Sequence, residues 1–236
     1  MQSVFDYLAP SIPEDHCRQV SAAQMIADMV RAGYRAADVL DLGCGDGRSV
    51  DLFSRWLPDA KWTGVDIEMS PEVAARSRAD ANFVTYDGIH VPFPGQSFDL
   101  IYSYQVFEHV RFPEDILREC ARVLRPGGIL LGQTSHLEPY HSYSIWNFTP
   151  YGFKRLCDDN GLRLVQLRPG IDGKTLVERT MLGRPKEFSR WFSEESPVNQ
   201  EIEAAAIAQG KKSKIVNFRK LMVCGQFVFM CEASTL

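Results

Sequence analysis

The sequence predicts an α/β fold: a doubly wound, mostly parallel, seven-stranded sheet with helices on both faces and a helical lid between the last two strands. Three observations predict it. Short apolar runs alternate with helical stretches along the first half of the chain, the pattern of βαβ units. The first run, Asp38–Leu42, reads as a buried strand. A glycine-rich turn follows it and opens a helix. Right-handed crossovers then bring the C-terminal ends of the parallel strands to one edge, where ligands of such sheets bind.

The N-terminal part reads as a helical cap over 1–36. Ser11 is the expected N-cap, Pro13, Glu14 and Asp15 suit a first turn, and Gly33 is the expected stop. Val20, Ala23, Met25, Ile26, Met29 and Val30 recur between them at near-helical spacing. Strands are then expected at Asp38–Leu42, Lys61–Asp66, Asn82–Tyr86, Phe98–Ser103 and Gly128–Gln133. Helices are expected at Gly47–Trp56, Pro71–Ala79 and Pro113–Leu124. Beyond Gln133 the pattern loosens to a helix at Thr149–Asn160, a strand at Leu162–Leu167 and a last apolar strand at Leu221–Cys231. The polar, helical stretch Asp172–Arg219 reads as a lid, because a structureless loop of that length is rare inside a compact fold. The whole of 1–236 is read as one domain, with its ligand-binding core at 38–135.

A chain of 236 residues suits one such domain. A net charge of −4 and no repeat or low-complexity tract argue against a duplex nucleic-acid binder. Six cysteines are scattered, with no pair at zinc spacing, and read as buried thiols in a reducing compartment. The N-terminal stretch has no basic region followed by an apolar one, and no run approaches a membrane span. The expected place is the cytoplasm, without membrane insertion, as a monomer or homodimer.

The most informative motif is Val39-Leu40-Asp41-Leu42-Gly43-Cys44-Gly45-Asp46-Gly47. Residues without side chains let the backbone turn sharply and approach a ligand, and the helix behind them offers free N–H groups. Asp66 closes the next strand, where a carboxylate meets a ribose diol in nucleotide sites. The spacing is GxGxG, not the GxGxxG of dinucleotide enzymes, which disfavours a nicotinamide oxidoreductase. Asp41, two positions before the first glycine, would repel a pyrophosphate and attract a cationic ligand.

Taken together, DLGCGDG, Asp66 in GVDI, the Asp87-Gly88 pair, FDLIYSYQVFEHV and LRPGGIL resemble the class I S-adenosylmethionine-dependent methyltransferases. They are most similar to the group that contains the ubiquinone-biosynthesis and other small-molecule enzymes. The resemblance covers about Val39 to Gln133. It implies a Rossmann-like fold and S-adenosylmethionine as cofactor. Gly43, Cys44 and Gly45 would lie at the methionine portion, with Asp41 near the amino group. Asp66 would hold the ribose hydroxyls, Ile67 would pack on adenine, and Asp87 and Gly88 would lie at its edge. Ser103, Tyr104 and Gln105 would line the floor near the sulfonium.

Methyl transfer needs alignment of the acceptor and, for a hydroxyl, a base. Candidates project from the ends of the fourth and fifth strands: His109, and then His136, Glu138, His141 and Tyr143. Histidine titrates nearest neutrality, so His109, His136 and His141 are the candidate catalytic residues. HSYSIWNFTPYGFKRL resembles bacterial methyltransferases associated with surface glycans, although Asn147 stands where those carry an arginine. The expected acceptor is a small polar molecule, a sugar, nucleotide-sugar or similar polyol methylated on oxygen. Another small metabolite (N- or carboxyl-directed, or quinone-like) and a non-catalytic partner subunit are the alternatives. No acidic cluster suggests a metal. Lys211, Lys212, Lys214, Arg219 and Lys220 read either as a solvated helix end or as a patch for a phosphorylated or nucleotide-linked acceptor.

Overall fold

The computed structural model describes residues 3–233, so both ends of the 1–236 domain lie outside the described residues. Seven strands form one sheet: β1 (Asp38–Leu42), β2 (Lys61–Ile67), β3 (Asn82–Tyr86), β4 (Phe98–Tyr104), β5 (Leu124–Ser135), β6 (Leu162–Pro169) and β7 (Gln226–Ala233). Their order is β3-β2-β1-β4-β5-β7-β6. Only β7 runs against its neighbours, pairing antiparallel with both β5 and β6. The order reverses between β1 and β4, which places a crevice at their C-terminal ends.

The helices are α1 (Val4–Leu8), α2 (Ala22–Arg31), α3 (Ser49–Trp56), α4 (Pro71–Ala74), α5 (Pro113–Val123), α6 (Pro150–Asp159), α7 (Gly173–Met181), α8 (Pro197–Ala208) and α9 (Ser213–Leu221). Successive strand residues face opposite sides, and here both sides are covered. Leu40, Ile101, Leu130 and Phe229 join the layer that includes α5 and α6 residues Ile116, Leu117 and Phe153. Their neighbours Val39, Leu100, Leu131 and Val228 join the layer of Met25, Ile26 and Phe53 from α2 and α3. Both layers are buried, so the strands carry continuous apolar runs. Among the described residues no helix is long and apolar enough to cross a membrane.

Several expected boundaries move; β5 begins at Leu124 rather than Gly128 and β6 runs on to Pro169. The long N-terminal helix starts at Ala22, not after Ser11. Ser21 and Gln24 form a reciprocal capping box there. Ser11 instead donates to the Leu164 carbonyl at 2.8 Å, while Asp15 and Glu14 are drawn away to Arg168 and Lys214. Gly33 does end the helix, at φ +99°. The helix expected over Pro71–Ala79 stops at Ala74, because Arg76 and Arg78 reach back to the Gly45 and Gly47 carbonyls. Helix α3 begins at Ser49 rather than Gly47. The apolar run at Leu221 is divided: Leu221 closes α9 and β7 begins at Gln226.

The segment 172–219 is built of helices, with a 3-10 turn at Lys186–Phe192, but its parts differ in place. Helix α9 is buried at Val216, Asn217, Lys220 and Leu221. It packs on β6 and on the N-terminal segment, where Asn217 donates to the Pro13 and His16 carbonyls at 3.0 and 2.8 Å. Helix α7 and the turn after it line a pocket together with the loop that follows β5.

Candidate functional site

The loop between β1 and α3 crosses the C-terminal edge of the sheet. Gly43 and Cys44 donate to the Val65 carbonyl at 2.8 and 3.1 Å, which ties the loop to β2. Gly43 has φ +71°, and a Cβ there would stand 2.4 Å from a Val106 methyl. Gly45 has φ +52°, with Glu72 3.0 Å from the place of a Cβ. No other residue makes these turns without strain and collision.

Asp66 ends β2 with both oxygens oriented by backbone donors. Gly45 N donates to Oδ2 at 2.6 Å and Ile67 N to Oδ1 at 2.8 Å. Burial raises its pKa, and the two amides oppose that rise. Each oxygen keeps a lone pair for a further donor. Ile67 beside it is exposed, and Gly88 lies against its side chain: a Cβ on Gly88 would be 3.5 Å from Ile67 Cγ2.

Asp41 and Asp87 sit differently from their neighbours. The Asp41 carboxylate is buried and accepts from the Ser49 hydroxyl, which in turn accepts from Trp62 Nε1 at 2.9 Å. Burial pushes it up to about 7, with the charge of Asp66 adding to the rise. Asp87 is exposed and bonds its own turn, accepting from Ile89 N at 2.8 Å and His90 N at 2.7 Å. The His90 ring lies 2.7 Å from it as well, and these bonds hold its carboxyl well below the usual range.

Three side chains stand at the end of β4. Ser103 is buried and its Oγ has no partner, and Gln105 Nε2 is likewise buried and unpartnered. Gln105 also adopts φ +55°, a left-handed conformation rare for a side-chain-bearing residue. Tyr104 stands partly exposed between them. Buried polar atoms without partners are uncommon and mark a place where a ligand completes the bonding. The open glycine turn, the oriented Asp66 and these two orphaned groups fit a nucleoside carrying a polar amino-acid tail.

Next along the chain, Glu108 points inward. Its carboxylate accepts from Thr134 Oγ1 at 2.9 Å and Ser135 Oγ at 3.2 Å, and burial pushes it up to about 7. Its carbonyl accepts from Ile145 N and Trp146 N at 2.6 and 3.0 Å, folding the post-β5 loop over it. This brings His141 Nε2 to 3.9 Å from Glu108 Oε1, and His141 Nδ1 to 3.8 Å from Glu138 Oε1. The His109 and His141 rings meet edge to face with centroids 5.4 Å apart. Burial holds His109 below its ordinary pKa, and its Nδ1 has no partner. His136 stands apart. Among the described residues it shares no hydrogen bond or ion pair with His109, His141 or Glu108, and burial lowers its pKa too. Asn147 donates to the Glu138 carbonyl at 2.9 Å and so pins the loop from within.

Glu108, His109 and His141 place one ligand atom each within 4.8 Å of one another, a set that a transition metal would accept. Sequence reasoning passed over Glu108 as a partner of histidine, because adjacency to His109 does not say which way a side chain points. It also passed over Arg179 and Arg184, which with Glu138, Pro139, His141, Leu176 and Thr180 line a half-open pocket of about 120 Å³. Of the expected basic patch, Lys214 is paired with Glu14, and Lys220 is buried against Glu195 and Glu203.

Residues 40–132 match the family described as a methyltransferase domain. Over 110 residues the chain is 36% identical to a trans-aconitate 2-methyltransferase of Paracidovorax citrulli, covering 45% of this chain and 42% of that one. Over 116 residues it is 31% identical to a ubiquinone biosynthesis O-methyltransferase of Pseudomonas aeruginosa, covering 46% and 49%. The matched part of the chain thus spans about half the length of these curated relatives. Phosphoethanolamine N-methyltransferase 2 of Haemonchus contortus, solved with S-adenosyl-L-methionine, shares the fold at a TM-score of 0.55 and 17% identity, covering 90% of this chain and 52% of that one.

Proposed function

We propose that the chain, whose residues 40–132 match a methyltransferase domain, is a class I S-adenosylmethionine-dependent methyltransferase that methylates an oxygen of a small polar acceptor: a sugar, a nucleotide-linked sugar or a similar polyol. The observation that carries the reading is the junction of two half-sites. Val106 packs on Gly43 of the glycine turn, and Ser135 Oγ stands 3.4 Å from Gln105 Oε1 and 3.2 Å from Glu108 Oε1, so the end of β4 adjoins the buried Glu108 and its neighbour His141. The unpaired thiols of all six cysteines favour a reducing cytoplasm as the place of action.

When bound, S-adenosylmethionine supplies an electrophilic methyl group on a sulfonium leaving group. The chain's residues bind, orient and deprotonate. Asp66, already oriented by Gly45 and Ile67, accepts from the ribose hydroxyls. Ile67 and Gly88 offer an apolar edge for the base, with Asp87 on the turn beside them. Gly43, Cys44 and Gly45 give the methionine tail a backbone without obstruction. Asp41 acts on its ammonium through space, and Ser103 and Gln105 contribute the polar atoms left without partners.

His141 is the proposed general base. A proton on Nδ1 faces the Pro139 carbonyl at 3.3 Å, leaving Nε2 as the acceptor. The acceptor's O–H proton passes to Nε2 as its oxygen forms the bond to the methyl carbon and the carbon–sulfur bond breaks. Glu108, 3.9 Å from Nε2, then faces an imidazolium. His109 lines the same corner, its ring edge to face with that of His141. The exposed aromatics Tyr140 and Tyr143 are available to stack on a sugar ring. The test is turnover of the single alanine variants at positions 109, 136 and 141 with a cognate acceptor. Loss of roughly 10²–10⁴ at position 141 with cofactor affinity retained supports the base. Near-normal rates in all three overturn it.

A further inference from the structure

We infer that the pocket between α7 and the post-β5 loop is an oxyanion subsite, taking a phosphate or carboxylate carried by the acceptor. The inference rests on the proposed acceptor site and adds a charge requirement to it. His141 belongs to both: one side of its ring adjoins Glu108 and His109, and the other lines this pocket.

The cations here are unspent. Among the described residues neither Arg179 nor Arg184 has a carboxylate within ion-pair distance, and both line the same cavity. Arg179 lies over the Phe192 ring at 5.3 Å, which fixes the plane of its guanidinium. Its Nε is buried without a partner, so one of its donors is withdrawn from water and unanswered. Arg184 is brought back toward it by the end of α7: its N–H donates to the Arg179 carbonyl at 2.8 Å, after Gly183 at φ +76°. Arg184 itself holds φ +59°, a conformation that costs a side-chain-bearing residue energy and that recurs at ligand sites.

Glu138, the acid in the pocket, lies 3.8 Å from His141 and, among the described residues, within ion-pair distance of neither arginine. Gln226 Nε2 donates to both its oxygens at 2.9 Å. Two planar guanidinium groups facing one small cavity suit bidentate recognition of an oxyanion. The role once expected of the C-terminal lysines thus moves to α7: Lys214 and Lys220 are bound to acids, and Lys211 and Lys212 are not part of this pocket.

The test uses the full chain saturated with S-adenosylhomocysteine and two probes, inorganic phosphate and citrate, titrated calorimetrically. Wild type should bind at least one, and which one distinguishes a phosphorylated from a carboxylated acceptor. Arg179→Gln and Arg184→Gln should each weaken that probe by about tenfold or more. Arg179→Lys should keep part of it, and Lys211→Gln should change nothing. Unaltered S-adenosylhomocysteine affinity in the variants shows that they are folded. Probe binding that survives both glutamine substitutions overturns the subsite, as does a wild type that binds the cofactor product and neither probe. A wild type that fails to bind S-adenosylhomocysteine at all overturns the methyltransferase reading instead.

Discussion

The amide of Gly45 donates to Oδ2 of Asp66 at 2.6 Å, so the glycine turn and the acid of the next strand are one device. The bond aims the carboxylate and anchors the loop together. Asp66→Ala should therefore lose both. Each charge-assisted hydrogen bond to a ribose hydroxyl is worth roughly 1.5–3 kcal/mol. S-adenosylhomocysteine affinity measured by calorimetry should fall by at least about tenfold, with Asp66→Asn intermediate because an amide oxygen still accepts from Gly45. Equal affinity in wild type and Asp66→Ala would remove Asp66 from the cofactor site.

Gly45→Val should abolish cofactor binding and leave the chain folded. A branched side chain at φ +52° costs about 1–3 kcal/mol, against the roughly 5–15 kcal/mol of an ordinary domain. Its Cβ would also press on Glu72 from 3.0 Å, disturbing the short α4. Circular dichroism should be unchanged while the calorimetric signal vanishes. Retained binding would place the cofactor elsewhere.

The sheet was legible because burial on both faces leaves apolar residues at successive positions: Val39 and Leu40 in β1, and Leu100, Ile101 and Tyr102 in β4. The glycine turn was legible because its backbone admits few residue types. Helix starts were less so. Ser11 with Pro13, Glu14 and Asp15 is as good a local start as Ser21 with Gln24. What separates them is distant: Arg168 and Lys214 claim the acids of the first. The arginines of α7 were illegible for the same reason. Five positions apart at a helix end, Arg179 and Arg184 acquire meaning only when the loop after β5 folds against them.

Lys220 makes a stability prediction of the same long-range kind. Its side chain is 0% exposed, and Nζ donates to the Cys17 carbonyl at 2.7 Å and pairs with Glu195 and Glu203 at 2.5 and 2.6 Å. Removing a buried cation strands the groups around it. Lys220→Ala should cost on the order of 3 kcal/mol in urea unfolding. Lys220→Met, which refills the space, should cost less. A cost below about 1 kcal/mol for the alanine variant would show that the two partly exposed glutamates are satisfied by water.

Glu108, His109 and His141 lie close enough to share a metal, yet the reaction proposed here needs none. The sulfonium already leaves readily, and Glu108 accepts from Thr134 and Ser135. Enzyme dialysed against a chelator should keep its turnover within about twofold, where loss of a required Lewis acid removes several kcal/mol of transition-state stabilisation. Turnover that collapses on dialysis and returns with zinc or magnesium would turn the cluster into a metal centre.

Glu108 also sets a pH dependence of stability whose sign is unusual for a carboxylate. Burial raises it from an ordinary 4.5 to about 7, so the folded chain keeps a proton that the unfolded chain has already released. Between those values the unfolded state binds fewer protons, and stability falls as pH rises. The full difference is on the order of 3 kcal/mol, reached above about pH 7 and absent below 4.5. Glu108→Gln keeps an acceptor oxygen for one of Thr134 and Ser135, turns an amide N–H toward the other hydroxyl, and removes the charge. It should match wild type in urea unfolding at pH 4.5 and exceed it at pH 8, while turnover falls because His141 loses its facing carboxylate. Asp41, also raised by burial to about 7, adds a slope of the same sign, so the single variant should flatten the wild-type curve without levelling it. A Glu108→Gln chain no more stable than wild type at pH 8 would mean that the buried carboxylate is already compensated there.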